Sequence, residues 1–175
     1  EILGLVETKH GGGNFVKEFS TINAMEAFHP LIQISENQDI ITILEYRKIV
    51  EKGTIGLVVP KITPKDIESL EETYSMMVAL ANTGKSVKQA SADHLFHYRL
   101  AQMANNPIIT KVYEIINVIL SSAMVEIIEL LGTDLGLRYH RQLIDALKTG
   151  DKSLCESLME AHIEETIQSI LKRTK

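Results

Sequence analysis

The chain has 175 residues, 45% hydrophobic, 23% charged and 5% aromatic, without Trp and with a formal charge of −5, so one domain can bury an aliphatic core unaided by disulfides. That charge excludes a broad nucleic-acid surface, which needs clustered Lys and Arg. The lone Cys155 excludes an intramolecular disulfide, and no uncharged apolar run suffices to span a bilayer; a cytoplasmic, membrane-free protein with a buried thiol is expected.

Ile2-Leu3-Gly4-Leu5-Val6-Glu7-Thr8 is strand-like, Gly11-Gly12-Gly13 is a turn, and Phe15-Val16 resumes an apolar run. This predicts a β-hairpin over residues 1–17, too small to stand alone in water and expected to be the trailing edge of a further domain. Residues 18–38 show no clear period and are assigned to a linker with one helical turn.

Helical signals fill residues 39–175. A first helix from Asp39 to about Val59 carries Ile40, Ile43, Leu44, Ile49 and Val50 and is stopped by Pro60. Thr63-Pro64-Lys65-Asp66 starts a second, with Thr as N-cap, and Gly84 suits its far end. A third runs from about Ser86 to Ala104. Pro107 opens a fourth to Leu131, where Gly132 suits a left-handed close. The fifth covers Asp134 to Thr149; Gly150 stops it, Asp151 caps the sixth, and the sixth continues to about Lys172. Short loops between about six helices imply an all-α antiparallel bundle.

Ionisable residues on apolar stripes carry the functional signal, because burying such a group unpartnered costs several kcal/mol at least, an order-of-magnitude figure. Asp93 and His97 are four apart, on one helix face with Leu100, Ala101 and Ala104. His140 begins the stripe His140, Leu143, Ile144, Leu147, and His162 shares a face with Leu158, Met159 and Thr166. Three imidazoles and a carboxylate suit Zn²⁺ or another borderline transition ion. Spacing alone favours an intrahelical Asp93–His97 pair and two satisfied core histidines over a metal site, and His94 could replace Asp93 in a two-His pair with His97. Arg47 could grip a carboxylate through paired hydrogen bonds, or be neutralised on the surface by Glu51 four residues on. Ser121 and Ser122 are weaker ligand contacts, since mid-helix Ser tends to bond its own backbone.

Catalytic signatures are missing: there is no H-E-x-x-H, G-x-S-x-G or phosphate-binding G-x-x-x-x-G-K-[ST], and the E-x-x-H motifs a di-iron bundle wants are not on its helices, since Glu7-Thr8-Lys9-His10 falls in the predicted hairpin and Glu26-Ala27-Phe28-His29 in the irregular N-terminal part.

The ordered set Leu44-Glu45-Tyr46-Arg47-Lys48-Ile49-Val50-Glu51, Asp93-His94-Leu95-Phe96-His97, Asn106-Pro107, His140 through Gly150-Asp151, and Met159-Glu160-Ala161-His162 resembles the FCD domain, the C-terminal ligand-sensing domain of the FadR branch of GntR-type transcription regulators. Gly4 through Val16 resembles the wing hairpin of that family's winged helix-turn-helix. The resemblance implies a divalent metal, Zn most readily and Ni, Mn or Fe as alternatives, held by Asp93, His97, His140 and His162. It also implies a small organic acid completing the coordination, with Arg47 on its carboxylate, a homodimer, and DNA contacted through an N-terminal domain beyond this sequence. A non-enzymatic sensor is the expectation; a metal-dependent hydrolase, using ion-activated water, and a bundle merely stabilised by its metal are the competing readings.

Overall fold

A computed structural model describes residues 6–16, 40–81 and 83–173, in which a hairpin is followed by six α-helices and one 3-10 turn. The hairpin pairs β1 (Val6–Lys9) with β2 (Gly13–Val16) antiparallel, Val6 opposite Val16 and Lys9 opposite Gly13. Gly11 and Gly13 adopt positive φ in the turn, as a tight reversal requires. Both strands are largely exposed, with Val16 at 86%. The expected linker and Glu26–His29 fall outside the described residues.

Helix α1 spans Ile40–Val58, with a 3-10 turn at Val59–Lys61 around Pro60. Helix α2 (Pro64–Leu80) begins in a capping box: Thr63 Oγ1 accepts from Asp66 N–H at 3.2 Å, and Asp66 Oδ2 accepts from Thr63 N–H at 2.9 Å. It stops at Leu80, short of Gly84, because Ala81 turns extended and Gln89 Nε2 donates to the Leu80 carbonyl at 2.7 Å. Helices α3 (Ser86–Met103) and α4 (Pro107–Leu131) are joined by a turn in which Asn106 Oδ1 accepts from Ile108 N–H at 3.0 Å. Helix α5 (Asp134–Thr149) ends at Gly150, left-handed at φ 72°, ψ 13°; Asp151 then caps α6 (Lys152–Arg173) by accepting from Leu154 N–H at 3.0 Å. Gly132 departs from the expected left-handed close: φ is 77° but ψ is −168°, an extended conformation open essentially to glycine alone, which turns the chain sharply from α4 towards α5.

Helix α1 lies along α6, α3 along α4 and α2, and α5 along α6 and α2. The shared core is aliphatic, as composition requires, with Leu44, Ile55, Leu70, Leu143, Ile144 and Ile163 at most 2% exposed and Phe96 fully enclosed. Cys155 is a free thiol at 0% exposure within it, and burial raises its pKa to about 11. One part of the first-helix reading is corrected. Ile49 is 73% exposed and Val50 only half-buried, whereas the true inward stripe runs Leu44, Arg47, Glu51, Ile55, Val58. No described helix is long and apolar enough to cross a membrane.

Candidate metal centre

Helices α3, α5 and α6 each present their ionisable residues to the bundle interior, and there the four side chains converge. Asp93, His97, His140 and His162 are all buried, and one donor atom from each lies within 4.8 Å of every other. His97 Nε2 and His140 Nε2 are 3.0 Å apart; Asp93 Oδ1 is 3.6 Å from His140 Nε2, and Asp93 Oδ2 is 3.9 Å from His97 Nε2. Donors bound tetrahedrally at the usual zinc distances would be about 3.3 Å apart, so the spacing fits a shared ion. Asp93 Oδ2, 3.9 Å from His97 Nε2, is buried without a hydrogen-bond partner, as is His162 Nδ1, a cost natively folded chains rarely carry unless another group satisfies the cluster. Burial, and the proximity of the other imidazoles, hold His140 and His162 well below the ordinary histidine pKa, so both are neutral at pH 7, the form that ligates metal.

Two further side chains complete the cluster. Arg47 is 5% exposed and Glu51 2%, and Arg47 Nε donates to Glu51 Oε1 at 2.6 Å, so the surface ion pair considered from spacing is instead a buried one. Glu51 Oε2 lies 2.7 Å from His97 Nδ1, though off the ring N–H direction, making this a close polar contact rather than a well-aimed hydrogen bond. A carboxylate behind a histidine whose other nitrogen faces the donor cluster fixes the ring's orientation and tautomer. Burial opposes the charge on Glu51, yet Arg47 and His97 outweigh it and hold the carboxyl far below its usual range. Burial likewise opposes the charge on Arg47, and Glu51 and Asp93 raise its pKa despite it. Glu51 was not among the expected site residues; its place on the Leu44–Arg47–Ile55 stripe is the signal that identifies it.

Phe96 stacks on His140 with ring centroids 4.3 Å apart and closes the far side of the site. His94 does not join the donors: it is half-buried, stacks on Tyr98 at 6.0 Å, and burial lowers its pKa to about 4. Ser121 donates to the Asn117 carbonyl at 2.7 Å, and both Ser121 and Ser122 are exposed and away from the cluster.

A cavity enclosing about 640 Å³, part of it open to solvent, reaches the cluster from the α4–α5 junction. Arg47, Asp93 and His162 stand on its wall, while His97 and His140 lie behind them. The guanidinium turns Nη1 to Met124 Sδ at 3.0 Å and holds Nη2 4.0 Å from Asp93 Oδ2. A thioether is a weak acceptor, so Nη1 remains available to a stronger one.

Comparison with known proteins agrees with this architecture. The FCD domain family model matches residues 42–165. The HTH-type transcriptional regulator LutR of Bacillus subtilis (strain 168) is 26% identical over 167 residues, covering 92% of this chain and 75% of that protein. The uncharacterized HTH-type transcriptional regulator YcbG of the same organism is 25% identical over 173 residues, covering 98% and 70%. Among solved structures, Streptococcus agalactiae GntR superposes with a TM-score of 0.65 at 20% identity over 94% of this chain and 75% of its own. E. coli McbR/YncC gives 0.62 at 18% identity over 99% and 79%. At those identities the structures speak for the fold alone, but the family match spans most of the chain: it belongs to the FCD domain family, the ligand-sensing regulatory domain of GntR-type transcription regulators.

Proposed function

We propose that this chain senses a small carboxylic acid through a divalent metal held by Asp93, His97, His140 and His162. Binding of the acid would alter operator binding by the full-length homodimer through its DNA-binding domain. The observation that carries the reading is the convergence of four buried donors at the inner end of a cavity whose wall also holds Arg47. Zn²⁺ suits three imidazoles and one carboxylate best, with Ni²⁺, Mn²⁺ and Fe²⁺ as alternatives. The ion supplies fixed positive charge for an incoming carboxylate. Glu51 orients His97, and Arg47, freed from Met124, meets the acid's oxygens through Nη1.

The chain acts by binding rather than by turnover. A hydrolase needs a general base near the ion, and the base the sequence offers for that role, His94, stacks on Tyr98 and is not among the four donors. A purely structural ion would need no cavity opening onto Asp93 and His162. Sensing works only if the acid prefers one of two arrangements of the regulator, whichever of them binds DNA.

The test is elemental analysis of purified protein together with thermal-shift titration of small carboxylates with and without chelator. About one metal ion per chain and an acid-dependent, chelator-sensitive shift are expected. Protein that neither carries metal nor takes up Zn²⁺, Ni²⁺ or Mn²⁺ would sink the four-ligand assignment.

A further inference from the structure

We infer that the effector is an aliphatic monocarboxylate, a single carboxylate on a hydrocarbon body, in preference to di- or tricarboxylates and polyhydroxylated sugar acids. The inference rests on the sensing reading above and names the chemical class that the same cavity takes.

Charge comes first. Arg47 is the only cationic side chain on the cavity wall among the described residues, and it already faces two carboxylates: Glu51 at 2.6 Å and Asp93 at 4.0 Å. The buried cluster therefore carries one negative charge in excess when its histidines are neutral. A divalent ion turns that excess into one positive charge, which a single carboxylate neutralises. A second carboxylate would find no Lys, Arg or further ion on the described wall, and a buried charge without a partner is strongly disfavoured.

Hydrogen-bonding capacity comes second. Gln89 Nε2 is committed to the Leu80 carbonyl at 2.7 Å, and Thr166 Oγ1 donates to the His162 carbonyl at 2.9 Å. Gln89 and Thr166 thus direct these donors to backbone carbonyls, and among the described polar wall side chains the Thr133 hydroxyl is what is left to meet a row of substrate hydroxyls. Each hydroxyl that enters unsatisfied forfeits its hydration.

The rest of the wall is hydrocarbon and thioether. Leu44, Met77, Ile127, Ile128, Leu135 and Ile163 line the space beyond Arg47, and five helices, α1, α2, α4, α5 and α6, supply them. Such a wall rewards each buried methylene of a ligand by roughly fourfold in affinity.

The experiment compares acids of equal carbon number on the wild-type protein loaded with Zn²⁺, by isothermal titration: hexanoate, adipate, citrate and gluconate, with butyrate as the shorter homologue. Hexanoate is expected to bind at least about tenfold more tightly than adipate, citrate or gluconate, and, for two further methylenes, about sixteenfold more tightly than butyrate. Adipate, citrate or gluconate equalling or exceeding hexanoate, with Zn²⁺ bound, would overturn this inference and leave the sensing reading intact. Butyrate matching hexanoate would remove the hydrocarbon-wall argument and overturn it likewise. Failure of the protein to bind Zn²⁺, or of the loaded protein to bind any acid, would overturn the sensing reading and this inference with it.

Discussion

His140 and Arg141 are neighbours on α5, and they open onto two clusters built from the same kinds of residue with opposite consequences. His140 points inward to a group comprising Arg47, Glu51, Asp93, His97 and His162, with side-chain exposures from 0% to 9% in the pairs it forms. Arg141 points outward, where both its Nη atoms meet Glu71 at 2.6 and 2.8 Å and its Nε and Nη2 meet Asp145; Lys148 adds a 2.6 Å contact to Glu71. Those four side chains are 32% to 59% exposed. Water can replace any partner in the outer network, so each pair contributes little. Nothing replaces a partner in the inner one, and its unpaired nitrogens and carboxylate oxygens are commitments to something the fold does not itself supply.

The sharpest way to break this contrast is to remove a charge from the inner cluster. Glu51→Ala leaves the Arg47 guanidinium and His97 buried without their shared carboxylate, and should cost about 3–5 kcal/mol of stability in urea denaturation of metal-free protein. A loss under about 1 kcal/mol would mean that the inner cluster is hydrated like the outer one. Metal follows in size. Saturation at a thousandfold above the dissociation constant stabilises by about 4 kcal/mol, so chelation should lower Tm by roughly 10 °C, and His140→Ala should abolish that chelator response. A variant whose Tm still fell with chelator would place the metal elsewhere. Glu51→Gln keeps the side chain's shape while weakening its hold on His97; titration with Zn²⁺ should show a tenfold to hundredfold loss of affinity, against none for Glu71→Gln.

The same contrast explains which features could be read in advance. Helix limits were legible because local chemistry decides them: Thr63 with Asp66, Asn106 before Pro107, and Gly150 before Asp151 each satisfy backbone groups within a few residues. That Asp93, His97, His140 and His162 face inward was legible from their stripes, because burial follows helical period. Their meeting at one point was not, since it depends on how α3, α5 and α6 cross, and spacing within one helix is silent on that. Glu51 was misjudged for the opposite reason. A Glu four residues after an Arg is what a solvated helix face carries, and only the alignment of Arg47 and Glu51 with Leu44, Ile55 and Val58 places both inside. The cavity depends on the α4–α5 junction, where the positive φ of Gly132 was legible and its extended ψ was not.

The smallest effect lies in the outer network and sharpens the comparison through pH. Hydrogen bonds from Arg141, then from Lys148, hold the Glu71 carboxyl at about 2. Unfolding returns it to roughly 4.3, so the ionised side chain stabilises the native state. That contribution is fully present above the unfolded value, declines as pH falls below it, and is gone once pH drops through about 2. Because the partners are exposed and screened, Glu71→Gln should cost no more than about 1 kcal/mol at pH 7, and less in molar salt. The difference between wild type and variant should vanish only once pH is well below 2, where both side chains are uncharged. A gap that persisted there would assign the stabilisation to packing beside Arg141, which lies over the Tyr74 ring at 5.3 Å, and would make the outer network more like the inner one than its exposure implies.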